Sequence, residues 1–291
     1  MYSNLSIKAS DGLCNCRIKK YPSADGVYLP VQIMVSEKKI FNPYGLEQHG
    51  YANTTQKIVT DDTDGMLCAD SRQERTDDCR AVRRARSKIL DCIRCNLDFS
   101  HFCTLTYSAE RVDREDYTEV VRKFSQWCDN RVRRKGLKYV AVIERHKRSN
   151  GLHFHVLCNN VLKLVDSGTV KCSGHKKPIR LQTADRYKIP EADRKTVYNI
   201  ADWCYGFSTA IKITGDDSLV KTSAYLQKYL TKDSDKVGGR YYYSGGDLLR
   251  PRYDYCTADF FDDTNDYTIS VPANTIKVWN VGLLKNPSKN F

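Results

Sequence analysis

The stretch GLHFHVLCNN, residues 151–160, places two histidines one residue apart in an otherwise apolar run. Side chains alternate between the two faces of a β-strand, so a strand here has one wholly apolar face and one face that carries His153 and His155. The apolar face, which must be buried, comprises Leu152, Phe154, Val156 and Cys158. A lone histidine favours a structural role, but two imidazoles on one face are better explained by a shared metal ion.

The segment before this strand adds a carboxylate. LKYVAVIE (137–144) predicts a second strand, and RHKRSNG (145–151) predicts a turn. A hairpin with its turn near Ser149 places Glu144 opposite His153 on the same face, whereas a register shifted by one residue moves Glu144 to the other face. One carboxylate and two imidazoles suit Mg²⁺ or Mn²⁺ acting as a Lewis acid on a phosphate oxygen. His146 is a rival third ligand.

The neighbouring segments predict the fold class. HFCTLTYS (101–108) and GFSTAIKIT (206–214) are typical of strands, and VYLPVQIMV (27–35) is compatible with one. Asp113 is the expected cap of a helix that runs to about Arg134, and a second helix is expected from about Ser218 to Lys232. A longer polar excursion is expected over 161–200. The expected helix to Arg134 has an apolar face of Tyr117, Val121, Phe124 and Cys128. This order predicts an α+β fold with a central antiparallel sheet and flanking helices.

The second helix carries paired tyrosines in SAYLQKYLTK, residues 223–232. At about 100° per residue one arc holds Tyr225, Lys228, Tyr229 and Lys232, while Leu219, Leu226 and Leu230 cluster on another face. Taken alone, this favours an amphipathic helix with a polar surface. The chemical alternative is a pair of nucleophiles near one phosphate, with the ammonium groups favouring the phenolate.

The chain is strongly basic. Its 291 residues include 47 Lys and Arg against 35 Asp and Glu, a net charge of +12, which favours a polyanionic partner and nucleic acid above all. A helical pattern begins at Asp78, where Val82, Ala85, Ile89 and Ile93 recur at helical spacing. Arg80, Arg83, Arg84 and Arg86 crowd the rest of this helix. A solvated basic face and a phosphate-contacting face are equally good interpretations.

Cysteine usage and hydropathy bear on location. The 12 cysteines are scattered, and a chain of this length does not need disulfides, so a reducing, cytoplasmic setting is expected. Cys92 and Cys95 have zinc-like spacing, but only His101 and Cys103 follow closely, which disfavours a four-ligand zinc site. No apolar stretch reaches the length of a spanning helix, so no membrane partner is expected.

Three motifs together resemble the HUH endonucleases. FCTLTY (102–107), HFH (153–155) and YLQKYLTK (225–232) occur in that family's order. The resemblance is closest to the two-tyrosine rolling-circle replication initiators of small single-stranded DNA phages and related elements. It implies an antiparallel palm-like sheet with the metal histidines on a central strand. Carried onto this chain, His153 and His155 are metal ligands, Tyr225 and Tyr229 are nucleophiles, and Lys228 and Lys232 are phosphate or phenolate partners.

The resemblance also implies an activity. Such an enzyme nicks single-stranded or supercoiled origin DNA, becomes joined to the 5′ phosphate and leaves a 3′ hydroxyl that primes synthesis. A second tyrosine cleaves the regenerated origin, and the displaced strand is closed without ATP. Host helicase and polymerase are the expected partners, in the cytoplasm of a bacterial host. Glu144 as third ligand matches a spacing seen in eukaryotic-virus members.

The expected organisation is an N-terminal extension of unknown role (1–75), a nuclease domain (76–253) and a C-terminal extension (254–291). GGRYYYSGGDLLRPRY (238–253) is either a surface hairpin or a segment that stacks on and neutralises single-stranded DNA. Two alternatives remain. One is a single-tyrosine relaxase or transposase, which the paired tyrosines disfavour. The other is a basic nucleic-acid-binding protein in which the two histidines are merely packed.

Overall fold

The chain was studied as a computed structural model, which describes residues 12–42, 77–146, 150–175, 177–213, 226, 240–258, 265–271 and 274–281. Of these, residues 77–80, 267 and 271 are described for the backbone alone. The described residues form two compact units. One draws on the ranges 1–84 and 249–291, and the other on 85–248. The rest of this subsection concerns these residues.

The unit drawn from both ends of the chain contains a five-stranded sheet. Its strands are β1 (Cys16–Pro22), β2 (Tyr28–Ser36), β11 (Arg252–Cys256), β12 (Tyr267–Val271) and β13 (Asn274–Asn280), in the order β11-β1-β2-β13-β12. Each neighbouring pair is antiparallel. One face of this sheet buries Ile18, Ile33, Val35 and Trp279, and the other buries Met34, Phe41, Ile276 and Val278.

The second unit contains an eight-stranded antiparallel sheet in the order β10-β4-β5-β3-β9-β8-β6-β7. Its strands are β3 (Phe99–Thr106), β4 (Tyr139–Arg145), β5 (Leu152–Asn159), β6 (Leu164–Cys172), β7 (Ile179–Arg180), β8 (Arg194–Ile200), β9 (Ser208–Lys212) and β10 (Tyr243–Gly245). The helices are α1 (Asp77–Cys95), α2 (Tyr117–Lys135) and the short α3 (Leu181–Arg186), with a 3₁₀ turn at Glu191–Asp193. The predicted α+β class is therefore confirmed.

Helix α2 covers one face of the eight-stranded sheet. Its buried residues are Val120, Phe124, Trp127 and Cys128. The Phe124 ring stacks on Phe154 of β5, with ring centroids 3.7 Å apart and planes within 9°. The predicted apolar face of β5 is part of the same core, which the alternation of side chains along the strand requires.

The ends of α2 show why the helix occupies this span. Asp116, with extended backbone, accepts a hydrogen bond from the amide of Thr118, and Gly136 ends the helix in the left-handed region. The predicted cap, Asp113, is wrong. Its carboxylate instead accepts from the amide of Glu115, in a turn that precedes the helix.

The polar excursion predicted over 161–200 is also wrong in part, because it holds β6, β7, α3 and β8. These strands lie toward one edge of the sheet, and β6 is largely exposed, so its sequence lacks the apolar alternation of a half-buried strand. The other strand predictions are confirmed: β2, β3, β4, β5 and β9 fall within one to three residues of the expected ends.

The division into units differs from the one drawn from the sequence, because the two ends of the chain share a sheet. β1 pairs with β11 from Cys16 and Cys256 onward, and β13 pairs with β2. Within the described residues, no helix has both the length and the hydropathy to span a bilayer.

Candidate metal centre

The hairpin of β4 and β5 carries the centre. Glu144 lies directly opposite His153, and Val142 lies opposite His155, so the predicted register is confirmed. The amide of His146 donates to the carbonyl of Gly151, which closes the hairpin just beyond Glu144. Because the turn connects adjacent strands, it sets the register that brings the carboxylate and both imidazoles to one face.

Three ligand atoms meet on this face. Glu144 Oε2 lies 3.1 Å from His153 Nε2 and 3.0 Å from His155 Nε2, and the two nitrogens are 3.2 Å apart. The three side chains are nearly buried, with 15%, 12% and 8% of the Glu144, His153 and His155 side chains exposed. Among the described residues, these three form the group with metal-binding geometry.

The donor set and its spacing fit a hard divalent ion. An octahedral ion with ligand distances of about 2.1 Å has adjacent ligand atoms about 3.0 Å apart. The three separations of 3.0, 3.1 and 3.2 Å match one triangular face of such an octahedron. The opposite three positions of the octahedron are then left for water or phosphate oxygens.

The electrostatics of Glu144 favour its charged form. Burial would raise its pKa, but hydrogen bonds from His153 and His155 and their charge outweigh this effect and lower the pKa to about 2. The carboxylate is therefore ionised across the physiological range, as a metal ligand must be.

Two residues of β3 support His155. Thr104 lies opposite His155, and its Oγ1 is 3.2 Å from His155 Nδ1, while the Phe102 ring stacks on the imidazole at 5.7 Å between ring centroids. A hydrogen bond at Nδ1 sets the orientation and tautomer that leave Nε2 for the ion. Neither residue was predicted as part of the site from the sequence. The signal was present in FCTLTY, whose alternate residues share the face of the histidines.

His146, the rival third ligand, is exposed and lies outside the three-residue group. Its ring centroid is 6.3 Å from that of His153. The predicted nucleophiles Tyr225 and Tyr229, and their partners Lys228 and Lys232, lie outside the described residues. Leu226, predicted on the apolar face of the same segment, is fully buried.

The predicted DNA-binding arginines belong to α1. Arg83, Arg84 and Arg86 are half-buried, and the side chain of Arg80 lies outside the described residues. Their basic face is therefore not fully solvated, and phosphate contact stays a prediction.

The cysteine pair does not form a metal site. Cys92 and Cys95 are free thiols buried on α1, and they do not assemble with His101 and Cys103 into a metal-binding group in the part of the chain that the structure describes.

Comparison with known proteins bears on this region of the chain. Residues 100–234 match the family model of the replication-associated protein ORF2. The matched segment, somewhat under half of the chain, includes Glu144, His153 and His155 together with the tyrosine-bearing stretch. It supports a replication initiator and is consistent with endonuclease activity. Neither the curated proteins nor the solved structures gave a match.

Proposed function

We propose that this chain is a rolling-circle replication initiator of the two-tyrosine HUH type, which nicks single-stranded origin DNA by transesterification onto a tyrosine. The observation that carries the proposal is the convergence of Glu144, His153 and His155 within a segment that is similar to replication-associated proteins. Structural packing alone does not call for three ionisable ligand atoms at these spacings.

The chemistry follows from the residues. Glu144, His153 and His155 hold a divalent ion, Mg²⁺ or Mn²⁺, whose charge polarises the scissile phosphate. Tyr225 or Tyr229 attacks the phosphorus, so a bond forms between the phenol oxygen and phosphorus. The bond between phosphorus and the 3′ oxygen breaks, and that oxygen takes up a proton. Lys228 and Lys232 favour the phenolate and neutralise the phosphate.

Rejoining is the reverse exchange. A free 3′ hydroxyl attacks the phosphotyrosine, the phosphodiester re-forms and the phenol leaves with a proton. The number of phosphoester bonds is unchanged at each step, so closure of the displaced strand needs no nucleotide hydrolysis. Host helicase and polymerase would act on the nicked origin in the bacterial cytoplasm, and Arg80, Arg83, Arg84 and Arg86 would contact its backbone.

The test is a covalent adduct on a denaturing gel. The full chain is incubated with Mn²⁺ or Mg²⁺ and the single-stranded circular DNA that carries its own coding sequence, beside Tyr225→Phe, Tyr229→Phe and the double variant. We expect a metal-dependent adduct that both single variants retain and the double variant loses.

Other outcomes would change the assignment. Loss in one single variant would identify a single nucleophile and favour a relaxase or transposase. Absence of any adduct would contradict the proposal and leave a nucleic-acid-binding protein. His153→Ala with His155→Ala is the matched control, since it should abolish cleavage while leaving much of the DNA affinity intact.

A further inference from the structure

Phe207 is an exposed aromatic residue at the end of β9 that lies nearest the metal centre. Its exposed fraction, 72%, is the largest among the large hydrophobic residues that the structure describes. A single exposed hydrophobic residue is ordinary on a protein surface, so exposure by itself decides nothing. The position of Phe207 and the way its backbone is held are more informative.

The backbone around Phe207 is fixed against the end of β3. The amide and the hydroxyl of Thr106 both donate to the carbonyl oxygen of Phe207, each at 2.8 Å, and the amide of Ser108 donates to Tyr205 at 2.9 Å. A Cβ at Gly206 would lie 2.4 Å from the carbonyl oxygen of Thr106, so a side chain there would force the two segments apart. The ring is therefore presented from a constrained backbone.

Phe207 continues the row of the metal ligands. Glu144 lies opposite His153, and His153 lies opposite Thr106 on the next strand. On the far side of β3, Ser208 lies opposite Leu105, so Phe207 is the next partner of Thr106.

The alternation of β9 places Phe207 on the ligand face. Ser208 and Ala210 are buried, and Ala210 belongs to the core beneath α2, whereas Thr209 lies opposite Thr104 on the face of the histidines. Residue 207 has the parity of residue 209. Two strand spacings, roughly 10 Å, separate the backbones at His153 and Phe207.

The surface between them is open and polar. Thr104, Thr106 and Thr209 are partly exposed. On the other side of the histidines the same face is closed, because Val142 and Leu157 are buried. A strand that brings a phosphate to the metal ligands therefore has its open path across these small threonines toward Phe207.

We infer that Phe207 stacks on a base of single-stranded DNA next to the scissile phosphate and so positions that phosphate at the metal ligands. The inference rests on the proposed function and names its substrate contact. An aromatic ring accepts any base on its π face, and the chain's net charge of +12 complements a polyanion. A duplex keeps its bases stacked on one another, so the contact selects a single strand or a melted origin.

The test compares Phe207→Ala, Phe207→Leu and Phe207→Trp in the full chain. The first measurement is affinity for a fluorescein-labelled, mixed-sequence single-stranded 20-mer in EDTA, by fluorescence anisotropy. Both non-aromatic variants should bind about 5- to 100-fold more weakly, and the Trp variant should bind at least as well as wild type. Leu separates stacking from simple apolar contact. Tyr187→Ala, at another exposed aromatic (61%), is the matched control and should bind as wild type does.

The second measurement is the concentration dependence of adduct formation on the circular DNA. The Ala and Leu variants should need more DNA to reach half-maximal adduct, with Mn²⁺ binding and melting temperature unchanged. Equal affinity and equal DNA dependence in Phe207→Ala and wild type would overturn the inference while the wild-type adduct upholds the nicking function. A wild type that forms no adduct would instead overturn the nicking function, and the anisotropy measurement would still decide the stacking contact.

Discussion

The imidazole of His155 is held on two sides by β3, through the Thr104 hydroxyl and the Phe102 ring. Nε2 points to Glu144 and His153, so Nδ1 is the nitrogen that the hydroxyl engages. This arrangement is a ligand with its supporting hydrogen bond, and such supports tune metal affinity. Thr104 is therefore a positioning residue of the centre.

Thr104→Val should test this support, because valine keeps the shape of threonine and removes the hydroxyl. We expect Mn²⁺ affinity, measured by isothermal titration calorimetry, to fall by about 10-fold or more. Thr104→Ser retains the hydroxyl and should bind Mn²⁺ nearly as wild type does. Equal Mn²⁺ affinity in Thr104→Val and wild type would show that the hydroxyl has no supporting role.

The lowered pKa of Glu144 predicts a pH dependence of stability. Its folded-state pKa of about 2 lies below its ordinary value of 4.5, so ionisation stabilises the fold fully above the ordinary value. That contribution is lost as the pH falls from about 4.5 toward 2. In EDTA, urea unfolding of wild type should exceed Glu144→Gln in stability at pH 5, and the difference should shrink by pH 2.5. Parallel pH profiles for the two proteins would refute this.

At the scale of secondary-structure elements, the contact of α2 with β5 holds the sheet that carries the ligands. Phe124 and Phe154 stack, and Tyr139 and Tyr243 approach Phe124 edge-on at 5.8 and 6.0 Å between centroids. His153 and His155 flank Phe154 in sequence and face the opposite side. The core beneath α2 therefore fixes the strand from which both imidazoles project.

Phe124→Ala should remove the centre of this core. We expect the free energy of unfolding to fall by about 3–5 kcal/mol, because a fully buried aromatic residue leaves a cavity. Chemical denaturation followed by far-UV circular dichroism measures the change. Phe207→Ala, at an exposed phenylalanine, is the control and should change stability by about 0.5 kcal/mol or less. Similar losses in the two variants would contradict the assigned core.

For the whole molecule, the excess of basic residues governs attraction to nucleic acid. A net charge of +12 acts on any phosphate backbone, whatever its sequence. Contacts to phosphates release counterions, whereas stacking on Phe207 does not, so the two contributions respond differently to salt.

We therefore expect the affinity for a single-stranded 20-mer to fall linearly in a plot of log affinity against log salt concentration. Arg83→Ala should make this slope shallower by about 0.7 if Arg83 contacts a phosphate. Phe207→Ala should lower the line without changing its slope. An unchanged slope in Arg83→Ala would assign α1 a structural role, and its melting temperature controls for misfolding of this half-buried site.

The sequence by itself determined the metal centre to a large degree. The period-two pattern of residues 152–158 assigned the two faces of β5, and a short turn connected it to Glu144, so face and register followed from local pattern. The caps and apolar face of α2 were also local, although the cap lay at Asp116 and not at Asp113.

Only the tertiary structure decided which distant segments meet. Cys16 pairs with Cys256, Thr104 meets His155, and Gly206 brings Phe207 beside Thr106. No turn connects such segments directly, so their register depends on how the whole chain buries its apolar surface. That balance is a property of the complete fold, and a local sequence pattern does not encode it.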